Sequence, residues 1–451
     1  MKKIIAMLMV LAMVFALVAC TAKPAEQQPE QQPEQQGEQQ PEQPEQQPTE
    51  TKVEYKVAMV TDYGDITDES FNQATYEGCK EFCEANKVEF TYKKPSGDST
   101  AERVSAVEAA IDEGYNVIVM PGFAFAGTIY EVQDKYPEVK FIGLDVSEND
   151  INDCFYNHDD EGKWTTLIDE NNPAHVAANT YCAVYQEELC GYMAGYAAVK
   201  LGYKHLGFLG GMAVPAVVRY GYGFVQGADA AAKELGNAGE VTMEYVNGNQ
   251  FFGDADITAY MDTWYQTKNV EVVFACGGGI YTSAVEAAKK VEGAKVIGVD
   301  VDQAAIIAGL GGEGMTVTSA MKGLAATVKA TLGDIILNGN WDAYSGKVAN
   351  LGLVSGDDPT ANFVQIRWSP PSGQTASSRR KTIRRSLRRC SQARSPFPTR
   401  LTPLRQPKSP STFTTTSRAN PQDIKGLGFP SPFLLRKNPY KVGTPLLKRD
   451  I

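Results

Sequence analysis

The chain has 451 residues, enough for two or three ordinary domains, and 43% of them are hydrophobic, which is typical of a globular protein rather than a disordered one. Its formal net charge of −11 is unevenly distributed. Residues 367–451 contain 19 of the 43 lysines and arginines and only two acidic residues, Asp423 and Asp450, whereas the preceding residues are strongly acidic. One folded unit rarely changes so abruptly, which indicates segments of different character.

Residues 1–20 have the features of a lipoprotein signal peptide. Lys2 and Lys3 form a charged start, and the apolar stretch 4–19 is short for a membrane span. The stretch ends in LVAC, which resembles the bacterial lipobox, so we expect Cys20 to be the lipidated first residue of the mature protein. The alternative is an uncleaved anchor with a chance cysteine. Either interpretation predicts that the rest of the chain is exported.

Residues 21–52 form a low-complexity linker made almost entirely of Glu, Gln and Pro. They offer nothing apolar to bury, so they cannot build a core. Repeated Pro favours an extended chain, and the Glu side chains repel one another. The composition predicts a spacer between the lipid and a folded domain.

The remaining cysteines and the histidines do not have the spacing of a metal site. Cys79 and Cys83 are too far apart for a CxxC redox pair, and His158, His175 and His205 are scattered. We therefore predict no metal and no cofactor, and we expect most cysteines to be small buried residues. Disulfide pairing stays open. The six cysteines between the linker and the basic tail are Cys79, Cys83, Cys154, Cys182, Cys190 and Cys276.

From residue 55 onward, short apolar runs alternate with stretches of helical periodicity. This alternation indicates a parallel sheet with helices on both faces. The first group of predicted strands is 55–64, 88–94, 115–122 and 139–147, and the helices between them are 72–87, 99–114 and 126–137.

The pattern restarts after a loop rich in Asp and Asn at 150–172, with one long helix predicted over 175–201. Two such units in succession predict two lobes with a cleft between them. The later predicted strands are 204–211, 240–248, 270–279, 294–302 and 315–323, and the later helices are 218–236, 254–267, 281–293 and 323–339.

Residues that could bind a ligand follow these predicted strands. Parallel sheets bind ligands at the carboxyl ends of their strands. Carboxylates there suit a polyol, a base edge or a cation, and glycines let a ligand approach the backbone. The strand-end residues are Asp62, Pro121-Gly122, Asp145, Gly210-Gly211, Gly277-Gly278-Gly279 and Asp300.

An exported enzyme is the less favoured class of function. The chain has no GxSxG elbow, Walker A loop or HExxH helix, and no histidine falls at a predicted strand end. Export, a lipid anchor and two lobes instead favour a receptor that captures a solute. We therefore predict a binding protein and not an enzyme.

The stretch VAMVTDYGDITDESFNQATYEG (57–78) resembles the N-terminal signature of the basic-membrane-protein family, the purine-nucleoside-receptor-like lipoproteins of ABC importers. The stretches FIGLDVS, VVFACGGGIYTSAVEAAKK, VIGVDVDQ and TSAMKG follow in the family's order, and the resemblance covers about 53–366. It implies an α/β periplasmic-binding-protein type I fold, with two Rossmann-like lobes, parallel sheets and a hinge. We expect lobe 1 to contain about 53–172 and part of 300–340, and lobe 2 about 173–299 and the C-terminal part.

The resemblance also implies a site that holds a purine between two aromatic rings, which suits the two faces of a base. Phe71 matches the first ring, with a core phenylalanine as the alternative. Phe252 is preferred for the second ring, although the adjacent Phe251 is an alternative. The glycine run contributes Gly278 to the same predicted site.

The polar residues of the implied site divide between base and ribose. Asp62, Asn72 and Asp145 match the contacts to the base edge and nearby atoms. Asp300 and Lys322 match the pair that holds the ribose hydroxyls, and a carboxylate is well suited to accept from two hydroxyls. A surface position is the alternative for Lys322.

The function implied by the resemblance is capture of a purine nucleoside for an ABC importer. The lobes would close around the ligand, and the closed form would dock on a permease in the cytoplasmic membrane. The protein would be lipid-anchored to the outer face of the bacterial cell membrane. A sugar or another small solute on the same fold is the alternative ligand.

Residues 367–451 lie beyond this resemblance. A run such as SSRRKTIRRSLRRC (377–390) is typical of an arm that binds nucleic acid or anionic membrane. A shifted reading frame with suitable wobble bases, however, turns 367–377 into VESTVWADSF and 380–419 into a helix and strands like the family's ending. We therefore interpret the tail as frameshifted, expect it to be disordered as written, and predict no nucleic-acid partner.

Overall fold

The computed structural model of the protein describes residues 54–62, 64–153, 175–355 and 361–366. The predictions for the signal peptide 1–20 with Cys20, for the linker 21–52 and for the basic tail 367–451 lie outside these residues. The start and the end of the solute-binding domain, expected at about 53 and 366 from the resemblance, therefore remain predictions.

The chain up to residue 200 alternates strands and helices, as predicted from its apolar periodicity except at 148–153, which forms an unpredicted helix, and at 180–185, which forms a strand. The strands up to this point are β1 (Lys56–Val60), β2 (Glu89–Lys93), β3 (Val117–Pro121), β4 (Lys140–Leu144) and β5 (Thr180–Tyr185). The helices are α1 (Phe71–Asn86), α2 (Thr100–Asp112), α3 (Ala126–Val132), α4 (Glu148–Asp153) and α5 (Glu187–Lys200).

The alternation continues to the end of the described residues. The later strands are β6 (His205–Gly210), β7 (Thr242–Asn247), β8 (Val272–Cys276), β9 (Lys295–Asp300), β10 (Thr316–Lys322), β11 (Lys347–Leu351) and β12 (Val364–Ile366). The later helices are α6 (Pro215–Leu235), α7 (Ala255–Asp262), α8 (Tyr281–Ala288), α9 (Ala304–Gly309) and α10 (Leu324–Leu332), with π-helical turns extending α7 and α10.

The strands form two six-stranded sheets, each with helices packed on it. The first has the order β11-β5-β4-β3-β1-β2 and is parallel throughout. The second has the order β12-β10-β9-β8-β6-β7 and is parallel except for the antiparallel edge strand β12. We call the first sheet with α1 to α4 and α10 the first lobe, and the second sheet with α5 to α9 the second lobe. This two-lobed α/β architecture is the predicted fold class.

The central strands are buried on both faces, which explains why their sequences are continuously apolar. The VVFAC run of β8 is buried along its whole length, and the VIVMP run of β3 likewise. Cys79, Cys83, Cys182, Cys190 and Cys276 are buried free thiols, as expected for small core residues. In the part of the chain described, no helix combines the length and hydropathy needed to cross a bilayer.

The predicted helix over 175–201 is wrong in its first half. Residues 180–185 form β5, which lies between β4 and β11 in the first sheet, and the helix starts only at Glu187. The TYCAVY sequence of β5 is rich in β-branched and aromatic residues, which fit a buried strand. Continuous apolar character conceals this boundary, because a buried strand and a buried helix show no distinct period.

The lobe boundaries also differ from those expected. Strand β5 belongs to the first lobe although it follows residue 173. Within 300–340, α10 belongs to the first lobe, in line with the expectation for part of that stretch, and β10 belongs to the second. The chain crosses between lobes three times, near Gln186, Gly323 and Gly352. The crossings are tied together, because Gln186 N–H donates to Leu351 O at 2.9 Å and Gly323 N–H donates to Phe363 O at 2.7 Å.

Helices α5 and α6 cross at unusually short range because glycines face each other at the contact. A Cβ on Gly191 would lie 2.2 Å from the carbonyl oxygen of Tyr220, and a Cβ on Gly227 would lie 1.9 Å from that of Tyr192. No side chain larger than hydrogen fits at such distances. The crossing brings the start of α5 against α6 and sets part of the site described next.

Candidate functional site

A cavity of about 360 Å³ lies where the carboxyl ends of strands from both sheets meet. Residues after β1, β3 and β4 line it from the first lobe, and residues at the ends of β8, β9 and β10 line it from the second. All eight residues predicted for ligand binding line this one cavity. They are Asp62, Phe71, Asn72, Asp145, Phe252, Gly278, Asp300 and Lys322.

The loop before α1 presents the polar residues of the first lobe. The carboxylate of Asp68 accepts from the backbone N–H groups of Ser70 and Asn72, each at 2.9 Å, and so satisfies the free start of the helix. Asn72 Nδ2 in turn donates to Asp62 Oδ1 at 3.3 Å. The loop thereby holds Phe71, Asn72 and Asp62 together at one wall of the cavity.

Asp145 and Asp300 occupy matching positions in the two lobes. Asp145 follows β4 and Asp300 ends β9, and both have a left-handed backbone with φ of 60°. This conformation is uncommon for residues other than glycine, although Asp tolerates it better than most. Strained backbone of this kind clusters at functional sites, where the surrounding fold enforces a side-chain direction.

Lys322 joins these two aspartates. It ends β10, its side chain is 3% exposed, and its ammonium lies 2.5 Å from Asp145 Oδ2 and 3.8 Å from Asp300 Oδ1. A third carboxylate, Glu187 at the start of α5, accepts from the same ammonium at 3.2 Å. The predicted alternative of a surface lysine is therefore wrong, since a long side chain is buried here only because it is paired.

The charges in this cluster shift one another's pKa values. Burial disfavours the charged ammonium of Lys322, but the three carboxylates raise its pKa above the ordinary value. Burial raises the pKa of Asp145 and of Asp300, with Lys322 opposing the shift in both cases. Burial also opposes ionisation of Glu187, yet the guanidinium of Arg219 and the ammonium of Lys322 hold its pKa below the ordinary value.

Two buried acceptors at the cavity wall have no hydrogen-bond partner within the described part of the chain. They are Asn72 Oδ1 and Asp145 Oδ1, and both residues are more than nine-tenths buried. An unpaired buried oxygen is costly, so native structures usually satisfy such an atom with water or a ligand. These atoms mark positions where a ligand's N–H or O–H groups would gain hydrogen bonds.

The aromatic residues of the site come from both lobes. The Phe71 ring lies at the start of α1 with the Lys322 ammonium 4.6 Å from its centre, a cation–π contact. Phe252 lies in the loop after β7 and is 58% exposed. Its neighbour Phe251 also lines the cavity but packs under the glycines, with its ring 2.3 Å from where a Cβ on Gly211 would be.

The glycine run after β8 allows this packing. Gly277 has φ of 141° and Gly278 has φ of 48°, both outside the range that most side chains adopt. Gly279 N–H donates to Phe251 O at 2.7 Å, which ties the two loops together. The run therefore brings bare backbone to the cavity wall beside Phe252.

Sequence reasoning missed four residues of the Lys322 cluster. Ser70 donates to Asp300 Oδ2 at 2.6 Å, and Tyr220 donates to Asp300 Oδ1 at 3.4 Å. Glu187 accepts from Arg219 Nε at 2.6 Å. The acidic pair Glu187-Glu188 is a typical helix start and could have revealed α5, but the long predicted helix concealed it. Among the described residues, no group of His, Cys, Asp and Glu is arranged to hold a metal ion.

Comparisons with known proteins agree with this architecture. Residues 55–356 match the family model described as Bmp, ABC transporter substrate-binding protein PnrA-like. Basic membrane protein A1 of Borrelia garinii subsp. bavariensis is 25% identical over 303 residues, which are 67% of this chain and 78% of that protein. The ABC transporter nucleoside-binding protein BmpA of Lactococcus lactis subsp. cremoris is 25% identical over 260 residues, 55% of this chain and 64% of that one.

A solved structure shows the same fold. The ABC transporter system solute-binding protein from Aeropyrum pernix K1 superposes with a TM-score of 0.54 at 19% identity. The match covers 74% of this chain and 86% of that one. The chain therefore shares the two-lobed α/β fold of that protein.

Proposed function

Because the chain belongs to the family of PnrA-like ABC transporter substrate-binding proteins, we propose that its cavity captures a purine nucleoside. A protein of this family takes a small-molecule ligand and works with the permease of an ABC transporter. The family role is in binding rather than in catalysis. The choice of a nucleoside as the ligand rests on the chemistry of the cavity together with the similarity to the nucleoside-binding protein BmpA of Lactococcus lactis.

The single observation that carries the proposal is the pairing of aromatic and charged walls in one cavity of about 360 Å³. Phe71 and Phe252 line the cavity from opposite lobes, and a flat base offers two faces on which such rings can stack. The unpaired Asn72 Oδ1 lies on the same helix as Phe71 and would accept from a base N–H group. Closure of the lobes would bring the two rings onto the base.

The ribose would occupy the end of the cavity at Lys322. Asp300 and Asp145 offer carboxylate oxygens to hydroxyl groups, and Lys322 offers an ammonium to hydroxyl or ring oxygens. The unpaired Asp145 Oδ1 supplies a further acceptor there. Gly278 would give backbone access beside the base, and Asp62 would hold the Asn72 amide in place through the hydrogen bond from Nδ2.

Calorimetric titration of the full chain with inosine, guanosine and adenosine tests the proposal. We expect at least one nucleoside to bind with a dissociation constant of about 1 μM or tighter, which is roughly −8 kcal/mol. Ribose, glucose and galactose serve as the comparison set. If a sugar binds and no nucleoside does, the proposed ligand changes from a purine nucleoside to a polyol held by the carboxylates.

The variant Phe71→Ala distinguishes the two ligand classes further. Loss of one stacked ring should weaken purine binding by about 1–3 kcal/mol, or roughly 5- to 150-fold. A sugar held by hydrogen bonds would lose much less. An unchanged inosine affinity in this variant would contradict stacking at Phe71.

We also propose that the protein is anchored by a lipid on Cys20 and faces the outside of the cell membrane. The support is the LVAC sequence after an apolar stretch of signal-peptide length. Cells fed a tagged palmitate should label the wild type and leave Cys20→Ala unlabelled. Equal labelling of the two proteins would contradict the anchor.

A further inference from the structure

Glu187 and Arg219 form an ion pair behind the cavity wall, in which Glu187 is fully buried and the Arg219 side chain is 20% exposed. Neither residue lines the cavity. Glu187 begins α5 and Arg219 lies in the first half of α6, so the close glycine contact between these helices brings them together. A helix start also favours an ionised carboxylate, because the free N–H groups there carry partial positive charge.

The two oxygens of Glu187 face two different cations. Oε2 accepts from Arg219 Nε at 2.6 Å, and Oε1 accepts from Lys322 Nζ at 3.2 Å. Asp145 and Asp300 approach the same ammonium from the cavity side. Lys322 therefore has one counter-ion that no ligand can reach and two that a ligand can.

This arrangement matters when hydroxyl groups arrive. A carboxylate that accepts hydroxyl hydrogen bonds shares its charge with the ligand and holds Lys322 less strongly. A buried ammonium without a counter-ion is strongly disfavoured. Glu187 supplies that counter-ion throughout, and Arg219 balances the extra negative charge that Glu187 brings to the cluster.

From this geometry we infer that Glu187, held by Arg219, is a positioning residue that keeps the Lys322 ammonium charged and directed into the cavity while Asp145 and Asp300 bind the ligand. The inference rests on the proposed function and extends it to two residues that do not touch the ligand. Its consequences are a higher affinity and a defined pH dependence of binding.

The pH dependence follows from the groups that face Glu187. They are Arg219 and Tyr220 from α6, Lys322 from β10, Asp145 after β4, Asp300 from β9, Cys276 from β8, and Glu188 and Cys190 from α5 itself. Burial raises the pKa of both aspartates, Lys322 opposes this, and the charge of Glu187 adds to it. The hydroxyl groups of the ligand donate to ionised aspartates. Affinity for the ligand should therefore rise with pH as the aspartates lose their protons.

The test is titration of the full chain with inosine between about pH 5 and pH 8. In Glu187→Gln we expect the maximal affinity to fall about tenfold, because Lys322 loses its buried counter-ion. The pH at which half of the maximal affinity is reached should fall by roughly one unit, since the repulsion on the aspartates is gone. Arg219→Gln should move this midpoint to higher pH, because a positive charge is lost instead.

Glu244→Gln is the matched control. Glu244 is also a buried carboxylate in an ion pair, 2.5 Å from Lys268, but it lies on β7 outside the cavity lining. This variant should bind inosine with the wild-type pH midpoint. A midpoint unchanged in both Glu187→Gln and Arg219→Gln would overturn the inference, as would an equal shift in the control.

A second readout needs no ligand. Carboxyl groups with raised pKa values, which here are Asp145, Asp300 and Glu188, stabilise the fold at low pH, and that contribution is lost as the pH rises through their folded pKa values. Between about pH 5 and pH 8 the thermal midpoint of Glu187→Gln should therefore fall less steeply than that of the wild type. A wild-type slope in Glu187→Gln overturns the inference. Failure of the wild type to bind any nucleoside would overturn the proposed function and leave this readout decisive for Glu187.

Discussion

Two Asp–Lys pairs line the same cavity and differ mainly in burial. Asp145 and Lys322 lie 2.5 Å apart with side chains 7% and 3% exposed, whereas Asp65 and Lys94 lie 2.9 Å apart with side chains about half exposed. Water screens the outer pair, and the protein interior does not screen the inner one. The same two residue types are therefore part of a coupled charge cluster at one end of the cavity and a solvated ion pair at the other.

Replacement of the lysine should give the largest difference in stability between the two pairs. Lys322→Met leaves three buried carboxylates with Arg219 as the remaining cation of the cluster, and we expect a loss of about 3–5 kcal/mol in the free energy of unfolding near neutral pH. Lowering the pH should recover part of the lost stability, because protonation neutralises the carboxylates. Urea denaturation at about pH 5 and pH 8 measures both effects. Equal losses in Lys322→Met and Lys94→Met would remove the distinction between the two pairs.

The next prediction separates the two adjacent phenylalanines at the outer part of the cavity. Phe252 is mostly exposed, so Phe252→Ala should change stability by no more than about 0.5 kcal/mol. It should nevertheless weaken inosine binding by about 1–3 kcal/mol through lost stacking. Phe251 packs against the glycine loops, so Phe251→Ala should cost at least about 2 kcal/mol of stability.

Calorimetry and urea denaturation of both variants decide which phenylalanine is the second ring. The opposite outcome, with Phe251→Ala stable and defective in binding, would transfer the stacking role to Phe251. It would also restore the alternative that the sequence alone left open.

The third prediction concerns the helix contact that supports the buried end. Gly227→Ala would place a Cβ 1.9 Å from the Tyr192 carbonyl oxygen and force α5 and α6 apart, at a cost of about 1–3 kcal/mol. Separation of the helices should also pull Glu187 from Arg219 and reduce inosine affinity. Gly239→Ala is the control, since its added Cβ would meet open space within 4 Å and stability should change by less than about 0.5 kcal/mol. Equal stability of the two variants would show that the crossing tolerates a methyl group.

Three carboxylates that the sequence predicted share one property, which is their position at a strand end. Because parallel sheets bind ligands at the carboxyl ends of their strands, Asp62, Asp145 and Asp300 could be proposed from the strand pattern alone, although Asp300 lies on the second sheet. The resemblance added Phe71, Asn72, Phe252 and Lys322 by motif. Their gathering around one cavity follows from topology, whereas their roles toward a ligand remain proposals.

The residues that sequence reasoning missed depend on contacts distant along the chain. Glu187 meets Lys322 across 135 positions, and Ser70 meets Asp300 across 230. Glu187 could be placed only after β5 was separated from α5, and the single long helix predicted over 175–201 ran across the acidic helix start that marks the boundary. Arg219 could be placed beside Glu187 only once the close crossing of α5 and α6 was known. The spacing of the glycines suggests that the two helices pack closely, but it does not say which of their residues face each other.

The smallest effect is expected at the solvated pair. Lys94→Met removes the partner of Asp65, and an exposed ion pair contributes between about 0 and 1 kcal/mol to stability. The same change in about 1 M salt should be smaller still, because the Debye length there is only about 3 Å. Urea denaturation of wild type and Lys94→Met at low and high salt measures this screening. A loss above about 1 kcal/mol that persists in high salt would mean that Asp65 and Lys94 are shielded from water, and the two ends of the cavity would then differ less than their exposure indicates.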